Sequence, residues 1–245
     1  MSAPLQIVAR ARTPFKEKFA VPRQPGLTPA ITGRVELVAP FDDPHALRGI
    51  EGFSHLWLVF GFHLVSQDTW RPLIRPPRLG GNEKIGVFAS RSTHRPNGLG
   101  LSVVKLIEVD LSGPALVVGG LDLVDGTPIY DIKPYLPMAD ALPEAAGGYA
   151  QSTPEVLPVR WTTEAEAQRQ SFEARWPDLQ AVIEQIISQD PRPAYRHGEA
   201  EDRVYGVRLY DLDVKFQFRP EAVWIVSVEI SGDSSAASAP ADDQL

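Results

Sequence analysis

The stretch Ile85-Gly-Val-Phe-Ala-Ser-Arg-Ser-Thr-His-Arg-Pro-Asn-Gly-Leu-Gly-Leu-Ser-Val-Val-Lys-Leu-Ile-Glu-Val109 decides how this chain is read. An apolar run, IGVFA (85–89), and a second one, LSVVKLIEV (101–109), enclose a polar insert from Arg91 to Gly100. The insert carries two arginines, a histidine, an asparagine, two hydroxyls, a proline and two glycines. The flanks alternate and are rich in β-branched residues, so they predict strands, and the insert predicts a loop on a rigid support. Gly98 and Gly100 permit positive φ and close backbone approach, while Pro96 fixes φ and removes a donor. This is a binding-site layout, although an ordinary polar connection would account equally well for the insert alone.

Working outward, β patterns dominate. LQIVAR (5–10), RVELVA (34–39) and PALVVGGLDLV (114–124) read as strands. FSHLWLVFGFH (53–63) reads as a strand buried on both faces, with His55 and His63 at its ends. Asp43 stands where it would cap a short helical turn. Proline denies regular structure to residues 13–26, where Arg23-Gln24 lies between prolines, and to residues 70–84, where Arg71, Arg75 and Arg78 lie among Pro72, Pro76 and Pro77. Guanidinium groups offer planar donors to phosphate and stack on bases, so the second segment predicts an RNA contact, against the plain alternative of solvated charge. Asp125-Gly126 marks a turn, and Asp131 and Lys133 share a face if the segment is extended. Asp122, Asp125 and Asp131 are the carboxylates available to a cationic or hydroxyl-bearing ligand.

An Ala-, Pro- and Gly-rich connection runs from Pro137 to Pro158. Thr163-Glu-Ala-Glu166 then reads as a capping box, opening a helical pattern that Pro177 divides into 163–175 and 177–189. Apolar residues at 179, 182, 183, 186 and 187 give the second helix one buried face. The alternating segment 203–218 and VWIVSVEI (223–230) predict an antiparallel pair. The C-terminal part therefore predicts a small α+β unit bearing an arm of Arg192, Tyr195, Arg196 and His197, and composition makes 231–245 a disordered tail.

Composition excludes several chemistries. The chain has no cysteine, so disulfides and thiolate metal sites are out, and the five histidines lack ligand spacing, so no metal is expected. It has neither a Rossmann nor a P-loop glycine pattern and no GxSxG elbow. With no membrane-length apolar run and no signal pattern, a cytoplasmic place is expected. Residues 1–105 hold 14 Lys and Arg against 7 Asp and Glu, so they carry +7 and the remainder −14. A basic N-terminal region in an acidic protein suggests an anionic ligand such as RNA. From the residues alone the chain is a β-rich protein with a polar, basic pocket.

Five motifs extend this reading: FKEKFAVPRQPGL (15–27), LRGIEGFSHLWLVF (47–60), GVFASRSTHRPNGLGLSVV (86–104), LDLVDGTPIYDIKPY (121–135), and DPRPAYR (190–196) with YGVRLYDLDVKF (205–216). In this order they resemble the TrmO (TsaA-like) tRNA methyltransferases over nearly the whole chain. The resemblance implies a mainly β protein, with a single-sheet β-barrel over 1–137, a connection over 138–162, a tRNA-contacting α+β domain over 163–230, and a homodimer. It implies S-adenosylmethionine as methyl donor and N6-threonylcarbamoyladenosine 37 of threonine tRNAs as acceptor. Cofactor contacts are implied at Pro22, Arg23, Gln24, His55, Leu56, Arg91, Leu101, Asp122, Leu123, Val124 and Asp125, with Leu56 and Leu101 suited to clamp adenine. His94 or Asp131 is the candidate base, and Arg71, Arg75, Arg78, Arg95, Arg192, Tyr195 and Arg196 are candidate tRNA contacts. The alternatives are a tRNA-binding barrel without turnover, or a methyltransferase with another acceptor.

Overall fold

The computed structural model describes residues 4–66, 70–80, 83–193, 196–198, 200 and 202–232. In chain order its strands are β1 (Ala9–Arg12), β2 (Thr32–Leu37), β3 (His55–Gly61), β4 (Leu73–Ile74), β5 (Ile85–Gly86), β6 (Leu99–Asp110), β7 (Ala115–Gly119), β8 (Pro128–Pro134), β9 (Val159–Trp161), β10 (Val204–Leu209), β11 (Leu212–Arg219) and β12 (Ala222–Ile230). Its α-helices are α1 (Pro137–Asp140), α2 (Thr163–Ser171) and α3 (Leu179–Ile187). The chain divides into two compact units, one of Met1–Pro14, Pro22–Trp70 and Thr93–Ala146, the other of Phe15–Val21, Arg71–Ser92 and Gly147–Leu245.

The first unit is a closed barrel in the order β1-β2-β7-β6-β3-β8, with β8 pairing back onto β1. Every pairing in it is antiparallel, and closure leaves no free edge. Alternation decides what fills it: Leu56, Leu58 and Phe60 of β3 are buried, as are Ala9 and Ala11 of β1, Val104 of β6, and Leu116 and Val118 of β7. Gly120 takes φ +72° and ends β7, and the following connection turns back so that Leu121 and Leu123 are buried. Gly33 makes room for it. A Cβ at that position would lie 2.5 Å from the Arg12 carbonyl oxygen and against the Leu121 side chain.

In the second unit a sheet of order β10-β11-β12-β9 has β9 parallel to β12 and the other pairings antiparallel. Leu179, Val182, Ile183, Ile186 and Ile187 of α3 are all buried, the stripe that the helical spacing predicts. Phe15 makes a bridge to Leu209 and Phe19 stacks on Phe216, which ties residues 15–21 to this sheet. β4 and β5 form a short hairpin of their own.

Several expectations change. The first strand is Ala9–Arg12, not 5–10, because its ladder partners are residues 34–37 and 128–129. The aromatic strand shrinks to His55–Gly61 and buries one face only, since His55, Trp57 and Val59 lie on the barrel's outer side, half-exposed. IGVFA yields two strand residues and then a 3-10 turn, Val87–Ala89, and LDLV is loop. The cap of α2 is Thr162, whose hydroxyl accepts from the Ala165 N–H, one residue ahead of the expected box. Segment 203–218 is itself a hairpin, folded where Tyr210 adopts φ +60°. The expected tail from 233 onward lies outside the described residues.

Gly33→Ala is expected to destabilise the barrel by about 1–3 kcal/mol, because backbone on one side and the packed Leu121 on the other cannot both yield. Urea unfolding of the two proteins measures it.

Candidate functional site

Hydrogen bonds fix where the β7–β8 connection runs. Gly26 donates its N–H to the Gly120 carbonyl at 2.9 Å, joining the Pro22-Arg23-Gln24 loop to the connection. The Thr13 N–H donates to Asp125 Oδ1 at 3.0 Å and its hydroxyl to the Leu123 carbonyl at 2.8 Å. The Ser102 hydroxyl, on β6, donates to Asp122 Oδ1 at 2.7 Å. The loop bearing Pro22, Arg23 and Gln24 and the connection bearing Asp122, Leu123, Val124 and Asp125 are thus tied to each other. Pro22 and Leu123 are buried there, Arg23 is exposed, and Gln24, Asp122, Val124 and Asp125 are half-buried.

Register sorts the remaining barrel residues. Leu101 lies opposite Val59, and Val59 opposite Asp131, while His55 lies opposite Lys105 on the same side of β3. Cross-strand partners share a face, so His55, Leu101 and Asp131 all point outward from adjacent strands. Leu101 is 55% exposed. Leu56 points the other way, fully buried in the barrel, so the expected clamp of Leu56 and Leu101 on one ring is not formed. Leu56 and Leu123 have only their backbone to offer a ligand. Asp131 has Lys133 at 3.1 Å and accepts the Ile132 N–H at 3.0 Å. His94 is exposed on a loop closed by bonds from Arg95 N–H to the Thr93 carbonyl, from Gly98 N–H to the Arg95 carbonyl, and from Phe62 N–H to the Gly98 carbonyl.

Sequence reasoning missed Thr13 and Ser102. Ser102 left a trace: its position has inward parity with Val104 on β6, and a hydroxyl at an interior position needs a partner. Thr13 left none, because its acceptors lie more than 100 residues away.

The arginines separate into different settings. Arg71 and Arg75 line a shallow groove of about 270 Å3 with Pro72, Leu73, Ile74 and Lys84, in the second unit. Arg78 and Arg91 are exposed in the same unit, whereas the half-buried Arg95 belongs to the barrel unit. Arg192 is a correction. It is 1% exposed, forks onto Asp190 with two bonds of 2.8 Å, and lies 3.5 Å from the Phe218 ring centroid. Its guanidinium is spent inside the protein, and it cannot serve as an RNA contact. Arg196 is half-buried, with its N–H on the Pro193 carbonyl, and Tyr195 lies outside the described residues. Among the described residues no group of three His, Cys, Asp or Glu gathers to hold a metal, and no helix is long and apolar enough to cross a membrane.

His63, which follows β3, has its imidazole held below the ordinary value by burial and by the nearby Arg10 guanidinium, with Asp125 opposing. The unfolded chain therefore takes up that proton first. Stability from this group is complete above the unfolded pKa, about 6.5, and falls as pH drops below it. His63→Gln is expected to flatten the fall in Tm over that acid range, read by thermal unfolding at a series of pH values. Arg192→Ala is expected to destabilise the protein by about 3–5 kcal/mol, since it strands a buried carboxylate. An Arg192→Ala protein of unchanged stability but weakened RNA binding would reverse this assignment.

Residues 10–141 match the family model of the tRNA-methyltransferase O N-terminal domain, and residues 154–231 match that of the TrmO C-terminal domain. The chain is 49% identical over 221 residues to the Escherichia coli protein named tRNA (adenine(37)-N6)-methyltransferase, covering 89% of this chain and 94% of that one. It is also 49% identical over 219 residues to a putative S-adenosylmethionine-dependent methyltransferase, RcsF, of Pseudomonas aeruginosa, with 89% and 94% covered. A crystal structure of TrmO from Pseudomonas aeruginosa superposes with a TM-score of 0.78 at 41% identity, covering 93% of this chain and 98% of that one. The barrel from Arg10 onward and the C-terminal sheet fall within the two family matches, and the chain belongs to the tRNA-methyltransferase O family.

Proposed function

We propose that the protein is an S-adenosylmethionine-dependent tRNA methyltransferase acting on N6 of adenosine 37, and that its acceptor is the N6-threonylcarbamoylated form of that base in threonine tRNAs. The observation that carries the reading is the tying of the loop that bears Arg23 and Gln24 to the connection that bears Asp122 and Asp125, through Gly26 on Gly120, with Ser102 holding Asp122 and Thr13 holding Asp125. This donor set fits the cofactor. A guanidinium suits its carboxylate, two carboxylates and an amide suit its amino group and ribose hydroxyls, and an apolar side chain suits its adenine. The motif resemblance supports the threonylcarbamoyl acceptor.

Arg23 is the residue to pair the methionine carboxylate, with Arg91 as the second choice. Asp122, oriented by Ser102, and Asp125, oriented by Thr13, accept from the amino and hydroxyl groups. His55 and Leu101 contribute from the outer face, and Leu56, Leu123 and Val124 through backbone. When bound, S-adenosylmethionine supplies an electrophilic methyl group. Displacement at such a group needs alignment more than covalent help, which suits a site built from fixed loops. The acceptor N6 proton must leave, and the carbamoyl substituent makes it more acidic than in plain adenosine. His94, exposed on its closed loop, is the group to receive it; Asp131, already tied to Lys133, is the second candidate. The tRNA backbone falls to Arg71, Arg75, Arg78 and Arg196 of the second unit and to Arg95 of the barrel unit. A homodimer and a cytoplasmic location belong to the same reading, and Leu5, Leu101, Ile107 and Leu111 are exposed on the barrel unit.

Transfer from labelled S-adenosylmethionine to tRNA lacking this methylation is expected only when the tRNA has first been threonylcarbamoylated, and only in threonine isoacceptors. Cofactor binding without transfer to any tRNA would refute the reading. His94→Ala is expected to lower kcat by about 100-fold or more and to alter its pH dependence; near wild-type turnover in both His94→Ala and Asp131→Ala would remove the general base from the mechanism.

A further inference from the structure

Residues 71–92 carry five cations, Arg71, Arg75, Arg78, Lys84 and Arg91, against one carboxylate, Glu83. The β4–β5 hairpin pairs Leu73 with Gly86 and Ile74 with Ile85, and the Val87 N–H donates to the Pro72 carbonyl at 2.9 Å, one step further along. Cross-strand neighbours share a face, so this register places Ile74, Ile85 and Val87 on one side. Leu73 and Gly86 face the other way, and Arg71, Leu73, Arg75 and Lys84 line one groove. Val87 is 1% exposed, whereas Leu73 is 52% and Phe88 74% exposed.

Phe88 is carried on a tied turn. It sits in the 3-10 turn Val87–Ala89, anchored by buried Val87 and closed by Ser90, whose N–H and hydroxyl donate to the Val87 carbonyl at 3.2 and 2.8 Å. A Cβ added at Gly86 would meet nothing within 4 Å. The Gly86 side of the hairpin is therefore open, and its partner Leu73 lines a groove with Arg71, Arg75 and Lys84. An exposed aromatic ring two residues from such an opening, on a segment with five cations, matches the way proteins hold single-stranded nucleic acid: rings stack bases, and cations track the phosphates.

We infer that this hairpin face is a binding site for unpaired nucleotides of the tRNA, with Phe88 stacking one base over the opening at Gly86 and Arg71, Arg75 and Lys84 taking the adjacent phosphates. The inference rests on the reading of tRNA as substrate, and it adds a stacking residue and the strand it recognises. An acidic protein segment would use the cations but would gain little from a solvent-held ring.

Fluorescence anisotropy with the full-length protein tests it, using a labelled anticodon stem-loop RNA and a fully paired duplex of equal length. Phe88→Ala is expected to weaken stem-loop binding roughly 5- to 150-fold while leaving the slope of log K against log salt unchanged, since no phosphate contact is lost. Phe88→Trp retains the affinity, Gly86→Val weakens it by filling the opening, and Arg75→Ala shallows the salt slope by about one unit. Affinity of Phe88→Ala within twofold of wild type, or an equal loss on the duplex, overturns the stacking site. Should Phe88→Ala not fold, Phe88→Trp and Gly86→Val decide by the same criteria. Tight binding of an acidic peptide with no stem-loop binding overturns it as well. The substrate reading fails separately if the wild-type protein neither binds tRNA nor methylates it; if it does both and the hairpin variants are unaffected, only this site is refuted.

Discussion

Thr13 holds the candidate site together. Only 6% exposed, it spends its N–H on Asp125 and its hydroxyl on the Leu123 carbonyl. An unmade bond there would leave a buried polar group stranded at a cost of about 1–3 kcal/mol, so the β7–β8 connection has one favourable path. Along that path Leu121 and Leu123 go inward, Asp122 reaches Ser102, and Gly120 meets Gly26. The proline-rich loop bearing Arg23 and Gln24 is positioned as a consequence. A site made of irregular segments is thereby given the rigidity of the barrel beneath it.

Much of this was legible in the residues, for identifiable reasons. The stripe of α3 and the pairing of Asp131 with Lys133 each depend on spacing within one element, and periodicity reports that directly. Arg192 was misread because an exposed loop arginine and a buried one look alike in sequence. Only Phe218 beneath it and Asp190 beside it, held at φ +45°, distinguish them. The clamp of Leu56 and Leu101 failed for a similar reason. Each residue lies on a strand, but which face each presents depends on the register of β3 with β6, which long-range pairing sets.

The two compact units do not follow one another along the chain. Residues 15–21 and 71–92 leave the barrel's sequence to join the second unit, where Phe15 bridges Leu209 and Phe19 stacks on Phe216. Pro14 and Pro22 bracket the first of these segments, and Pro72, Pro76 and Pro77 interrupt the second, which keeps both out of the barrel sheet. Charge does not follow the same division, since the cations of 71–92 belong with a C-terminal part that is otherwise acidic.

The closure of β8 onto β1 has a consequence for how the protein is made. The barrel cannot close until Pro128 and Ile129 have left the ribosome to meet Arg10 and Ala9, so its first strand waits through most of the unit's synthesis. Phe15 and Phe19 wait longer still, because Leu209 and Phe216 are translated after the whole of the barrel unit. During that interval two aromatic side chains near the N-terminus are without their packing partners, and nascent chains are then most open to chaperones and to aggregation. The speed of elongation through the C-terminal hairpin therefore bears on yield.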